Sequence, residues 1–198
     1  MMIRIAAIAT MTLLPVLACA ATTPDPKQDE KAATELRLRA DKGDGDAALR
    51  LGNLLTRGKV PSAKYGNAMD WYKKGCSLDS LSACHNAGTA YSEGLYGVAI
   101  NYSEAATYFQ KAAEHAFLPS MFNLVILYAD VRIASLDNRE GLKWLLVAQR
   151  AAAQCPDNPV CKSVIEDRKG YRVLLEARLT PTEQRETRQL ADDWQPAR

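Results

Sequence analysis

The stretch Ala83-Cys84-His85-Asn86-Ala87-Gly88-Thr89-Ala90-Tyr91 has two counterparts in the chain, Ala47-Ala48-Leu49-Arg50-Leu51-Gly52-Asn53-Leu54-Leu55 before it and Ser120-Met121-Phe122-Asn123-Leu124-Val125-Ile126-Leu127-Tyr128 after it. The offsets are 36 and 37 residues. A second set keeps the same beat: Ala68-Met69-Asp70-Trp71-Tyr72-Lys73-Lys74, Ala105-Ala106-Thr107-Tyr108-Phe109-Gln110-Lys111 and Gly141-Leu142-Lys143-Trp144-Leu145-Leu146-Val147. Separate segments sharing one period predict a stacked array in which each unit borrows part of its core from its neighbours.

Each unit reads as two helices. In the first, Cys84, Ala87 and Tyr91 fall on one stripe of an α-helix, and Gly88 beside them lets the second helix approach closely. The second carries Ala105, Tyr108, Phe109 and Ala112 at helical spacing, and Glu93 to Val98 makes the turn, where glycine reaches φ > 0 without steric cost. The third unit departs from this pattern. Val125 replaces the glycine, and Ala129 to Asn138 contains none.

Beyond Ala153 the repeat stops. Cys155-Pro156-Asp157-Asn158-Pro159-Val160-Cys161 reads as a loop whose prolines block helix continuation, and Cys161 to Leu179 as a helix. Thr180-Pro181-Thr182-Glu183 is a strong helix start, opening a last helix to about Trp194 in which Leu190 and Trp194 are expected to cover the final repeat. Residues 154–198 thus form a C-terminal helical cap.

At the other end, Arg4 precedes the apolar run Ile5 to Leu17 and then Ala18-Cys19-Ala20. The run is shorter than the roughly 20 residues a spanning helix needs and ends in a small-x-small site, so residues 1–20 read as a secretory signal. Val16-Leu17-Ala18-Cys19 also resembles a lipobox, in which Cys19 would carry a lipid anchor; either route places the folded part outside the cytoplasm, periplasmic, secreted or lipid-anchored. Residues 21–32 are polar and Pro-containing and are read as a flexible leader.

Lys+Arg 25 against Asp+Glu 23, with no basic or acidic block, argues against nucleic acid as a partner. After cleavage at Ala20 four cysteines remain, Cys76, Cys84, Cys155 and Cys161, an even number suited to an oxidising compartment. Three pairings are open, and closeness in sequence favours Cys76 with Cys84 and Cys155 with Cys161. No spacing suggests a zinc site, and no glycine motif suggests a phosphate or dinucleotide cofactor.

Ala47 to Gly52, Tyr91 with Gly94 and Val98, and Glu104-Ala105 leading to Tyr108-Phe109-Gln110-Lys111-Ala112-Ala113-Glu114 resemble the Sel-one-like repeat, a relative of the tetratricopeptide repeat, over residues 33–153. The resemblance implies an all-α, right-handed superhelical solenoid of antiparallel helix pairs. The seven residues between Cys76 and Cys84, at the end of one unit and the start of the next, resemble the family's secreted cysteine-rich branch, which implies a disulfide there. Only one unit carries the pair; Ala40 with Ala48, and Ala113 with Met121, stand in the equivalent places.

For function the resemblance implies an exported, non-catalytic scaffold of the bacterial cell envelope that holds a protein or peptide partner. A weak β-lactamase or penicillin-binding hydrolase of the cysteine-rich branch is the alternative, and a purely structural envelope protein the second. The residues themselves favour no catalysis: the chain has no Ser-x-x-Lys and no Lys-Thr-Gly, and a Cys84–His85 nucleophilic pair is ruled out if Cys84 is in a disulfide. His115 reads as a turn residue.

Positions one and five after the Cys84 stripe point about 100° and 140° away from it. They are His85 and Thr89, with Leu49 and Asn53 in the preceding unit and Phe122 and Ile126 in the following one; Asn86 and Asn123 lie one position further round. If the first helices line a concave face, as the resemblance implies, these eight residues face the partner, the polar ones as surface groups. Leu49, Phe122 and Ile126 fit equally a core between units.

Overall fold

The computed structural model describes residues 26–130, 137–167 and 170–197. The signal segment and the lipobox reading of Cys19 lie outside the described residues, as does most of the third unit's turn. Among the described residues every regular element is a helix: α1 (Pro26–Asp41), α2 (Gly45–Thr56), α3 (Ser62–Tyr65), α4 (Ala68–Ser77), α5 (Leu81–Glu93), α6 (Tyr102–Ala113), α7 (Leu118–Ala129), α8 (Asn138–Ala152), α9 (Pro159–Glu166), α10 (Tyr171–Glu176) and α11 (Pro181–Asp193). None of them is long and apolar enough to cross a membrane.

Side-chain caps set the starts. Asp44 accepts from Ala47 N at 2.9 Å, Asn67 from Met69 N at 2.8 Å and Asn101 from Glu104 N at 3.1 Å, each satisfying a donor that the helix leaves open. Gly94 ends α5 at φ 71°, the left-handed geometry that a Cβ would strain.

Consecutive helices then pair: α2 with α4, α5 with α6, and α7 with α8 make three units, and α1 packs on α2 as the second helix of an incomplete unit before them. The result is a helical solenoid. Its close approaches are at glycine. A Cβ on Gly52 would stand 2.6 Å from the Tyr72 ring and one on Gly88 2.7 Å from the Phe109 ring. In the third unit Val125 takes the glycine's place and Leu145 stands where the aromatic ring was, so the extra bulk on the first helix is offset on the second. Disulfides join Cys76 to Cys84, linking α4 to α5, and Cys155 to Cys161, tying the loop that opens the cap to α9, with Cα–Cα distances of 4.5 Å and 5.9 Å.

Two boundaries and one contact differ from the sequence expectation. α1 starts at Pro26, inside the segment read as a flexible leader. Proline is compatible with a first helical turn, and Glu30 and Asp29 pair with Lys64 and Lys59 of the first unit's turn, tying the start down. The helix expected from Cys161 to Leu179 is two helices: Asp167 turns left-handed at φ 42°, and its carboxylate accepts from Tyr171 N and Arg172 N at 2.9 Å and 2.8 Å, capping α10.

The third difference is in the cap's contact with the array. Leu190 is 52% exposed, whereas Thr187 and Ala191 are fully buried. Small side chains four residues apart let α11 lie close on α8, and a leucine one position along points outward. Trp194 does cover the last unit, edge-on to Trp144 at 5.9 Å.

Candidate functional site

Where first helices of neighbouring units meet, their side chains leave hollows. The first hollow, of about 230 Å³, lies between α2 and α5 and is lined by Asn53, Thr56, Arg57, Tyr72, Asn86, Thr89 and Tyr96. Asn53 Oδ1 accepts from the Tyr72 hydroxyl at 2.8 Å and from Asn86 Nδ2 at 3.3 Å. That fixes which way the Asn53 amide faces and leaves its NH2 group able to donate into the hollow. Burial pushes the Tyr72 hydroxyl's pKa up, so it stays a donor throughout the ordinary pH range.

Threonine hydroxyls finish the wall. Thr56 Oγ1 donates to Asn53 O at 3.1 Å and Thr89 Oγ1 to His85 O at 3.1 Å, so each retains only acceptor capacity. Tyr96 stands at the mouth in the left-handed region at φ 57°, its ring edge-on to Tyr72 at 5.9 Å and its carbonyl accepting from Asn67 Nδ2 at 2.9 Å. The same Tyr96 and Thr56 border a wider hollow of about 520 Å³ over the turn of the first unit.

The second hollow, of about 270 Å³, is the repeat of the first one unit along, lined by Ser92, Glu93, Tyr102, Phe109, Asn123, Ile126, Leu127 and Asp130. Register equates Thr56 with Ser92, Arg57 with Glu93, Tyr72 with Phe109, Asn86 with Asn123 and Thr89 with Ile126. Phenylalanine in place of tyrosine removes the hydroxyl that orients the amide in the first hollow.

Of the eight residues that the sequence put on this face, Asn53, Asn86 and Thr89 meet in the first hollow and Asn123 and Ile126 in the second. The other three are packing residues. Leu49 packs against the buried cluster of Ala68, Met69 and Tyr72. Phe122 meets Tyr171 of α10 edge-on at 6.0 Å, because the cap folds back over it.

His85 packs as well. It is half-buried between the rings of Phe109 and Phe117, at 5.5 Å and 5.7 Å, and its Nδ1 shares a hydrogen bond of 3.0 Å with the fully buried Ser120 Oγ. Burial holds its pKa below the ordinary histidine value. Its neighbour Cys84 is bonded to Cys76, so no thiol is present for a Cys–His pair. Sequence reasoning missed Thr56, Arg57, Tyr72 and Tyr96 in one hollow and Ser92, Glu93, Tyr102, Phe109, Leu127 and Asp130 in the other. The register that pairs Thr56 with Ser92, Arg57 with Glu93 and Tyr72 with Phe109 is the signal that could have found them.

Comparison with known proteins bears on the fold. The Sel1 repeat model matches residues 45–80 and 81–117. The structure is similar to a protective antigen of uropathogenic Escherichia coli that displays an SLR fold, with TM-score 0.59 at 22% identity over 83% of this chain and 32% of the antigen's. It is also similar to a Sel1 repeat protein from Oxalobacter formigenes, with TM-score 0.51 at 20% identity over 84% of this chain and 65% of that one. The chain therefore spans about a third of the first and just under two thirds of the second. No protein of curated function matches it in sequence.

Proposed function

We propose, on the premise that this chain is built on Sel1 repeats, that it is an exported scaffold which holds an extended protein segment along its first-helix face in the bacterial cell envelope. Sel1 repeats generally mediate protein–protein interaction. The observation that carries the reading is the pair of register-equivalent hollows, each with an asparagine amide on its wall. An extended segment presents unpaired backbone N–H and C=O groups at regular intervals, and amides that both donate and accept, repeated one unit apart, match that demand. Two disulfides fit an oxidising compartment.

A photo-crosslinking side chain at Ile126, 38% exposed on the first-helix face, tests this against the same group at Thr107, exposed on the second helix α6. Illumination of intact cells should give protein adducts from position 126, recovered with the envelope fraction, that position 107 does not give. Adducts from position 107 alone, or from neither, would sink the proposal.

A further inference from the structure

Between the two hollows the register keeps the hydroxyl of Thr56 as Ser92 and the amide of Asn86 as Asn123, turns Tyr72 and Thr89 into Phe109 and Ile126, and inverts the charge at one position. Arg57 lines the first and Glu93 the second, each being the last residue of, or the residue just after, its first helix. Both are exposed, and neither enters an ion pair among the described residues. Some other cations do pair, Arg39 with Asp44, Lys74 with Asp41 and Arg188 with Glu176, while Arg50 and Lys111, away from the hollows, enter no ion pair among the described residues. The groove thus holds one unspent cation and, one unit along, one unspent anion.

We propose that this groove selects an extended peptide with a fixed order of charges, an acidic side chain seated at Arg57 and a basic one at Glu93. This deepens the scaffold reading above and rests on it. The surroundings of each charge suit its partner. Asn53 lines the hollow beside Arg57 with its Oδ1 already accepting from Tyr72 and Asn86, so a carboxylate there can meet a guanidinium fork and an amide NH2 donor together. Beside Glu93 the wall is mixed: Tyr102, Phe109, Ile126 and Leu127 offer apolar surface to the methylene stem of a lysine or arginine whose head reaches the carboxylate, and Ser92, Asn123 and the Asp130 carboxylate complete it.

Spacing follows from helix packing. Adjacent first helices lie roughly 8–10 Å apart and an extended chain rises roughly 3.3 Å per residue, so the two charges belong about two to four residues apart. Complementary charges of this kind act on orientation and partner choice, and their contribution falls with salt.

The test uses the whole purified chain and a displayed library of random dodecapeptides. Selection should enrich peptides with an acidic and a basic residue about two to four positions apart in one order. Against the best synthetic peptide, Arg57→Glu and Glu93→Arg should each weaken binding roughly tenfold at low salt. The double exchange should bind the peptide whose two charges are exchanged and reject the original. Thermal melts of the variants should match the parent, since both side chains are exposed.

A library that enriches nothing overturns the groove reading and the charge order together. Peptides enriched without a charge order, or affinities unmoved by the exchanges, leave the groove standing and overturn the charge order alone.

Discussion

At the scale of single residues, His85 shows what a position on a helix wheel leaves undecided. The sequence places it on a polar face, where its loss would be nearly neutral, yet Phe117 and Ser120 of the next unit close over it. His85→Ala should therefore cost about 2 kcal/mol, from the lost ring contacts and a buried Ser120 hydroxyl left without its partner. Its pKa, held by burial below the ordinary 6.5, makes the contribution pH-dependent. The unfolded chain takes up the proton first as pH falls, so the stability is fully present above the unfolded value. It is lost as pH drops below 6.5 through the folded one. Urea midpoints compared with His85→Gln, which keeps a hydrogen-bonding group but does not titrate, should run parallel above that pH and converge below it. Parallel curves throughout would mean that the imidazole is solvated.

At the scale of elements, the distance between paired helices is set by complementary bulk. Gly88 faces the Phe109 ring, and Val125 stands opposite Leu145 in register. Gly88→Ala adds a methyl 2.7 Å from ring carbons, so it should destabilise by about 2 kcal/mol even though alanine is the better helix former by about 1 kcal/mol. Phe109→Leu should relieve that clash, as the third unit already does. A double-mutant cycle should return a coupling of about 1 kcal/mol, and simple additivity would show that the ring is not the obstacle. The α4–α5 disulfide adds a constraint of another kind, about 2.5 kcal/mol from closing a short loop. Arg178 adds one that the sequence did not advertise: its guanidinium reaches from beyond α10 to Ala129 O at 3.0 Å and Asn138 Oδ1 at 3.1 Å, satisfying a carbonyl at the end of α7.

At the scale of the whole molecule, the core is unevenly spread. One buried cluster runs from Ala105 through the third unit to Ala191 of the cap and contains Phe109, Trp144 and Leu175. The first unit rests on smaller clusters in which alanine predominates. A stack whose stability is summed from local interfaces should open first where those interfaces bury least. Native-state hydrogen exchange should find amides of α1 and α2 exchanging before those of α7 and α8. Equal protection throughout would show a single cooperative unit instead.

The repeat, its two-helix unit, the close approach at Gly52 and Gly88 and the capping box of α11 could all be read from the sequence, because each rests on contacts within one helix or on spacing that recurs. So could the amides of the hollows, since Asn53, Asn86 and Asn123 follow from the phase of the first helices. Tertiary structure alone decided which half-polar positions stay open. Periodicity says which way a side chain points along its own helix and nothing about what lies across from it. Tyr171 reaches Phe122 from a helix whose existence depends on the break at Asp167, and Phe117 reaches His85 from the turn of another pair. Covering a side chain is a long-range event, and no local pattern encodes it.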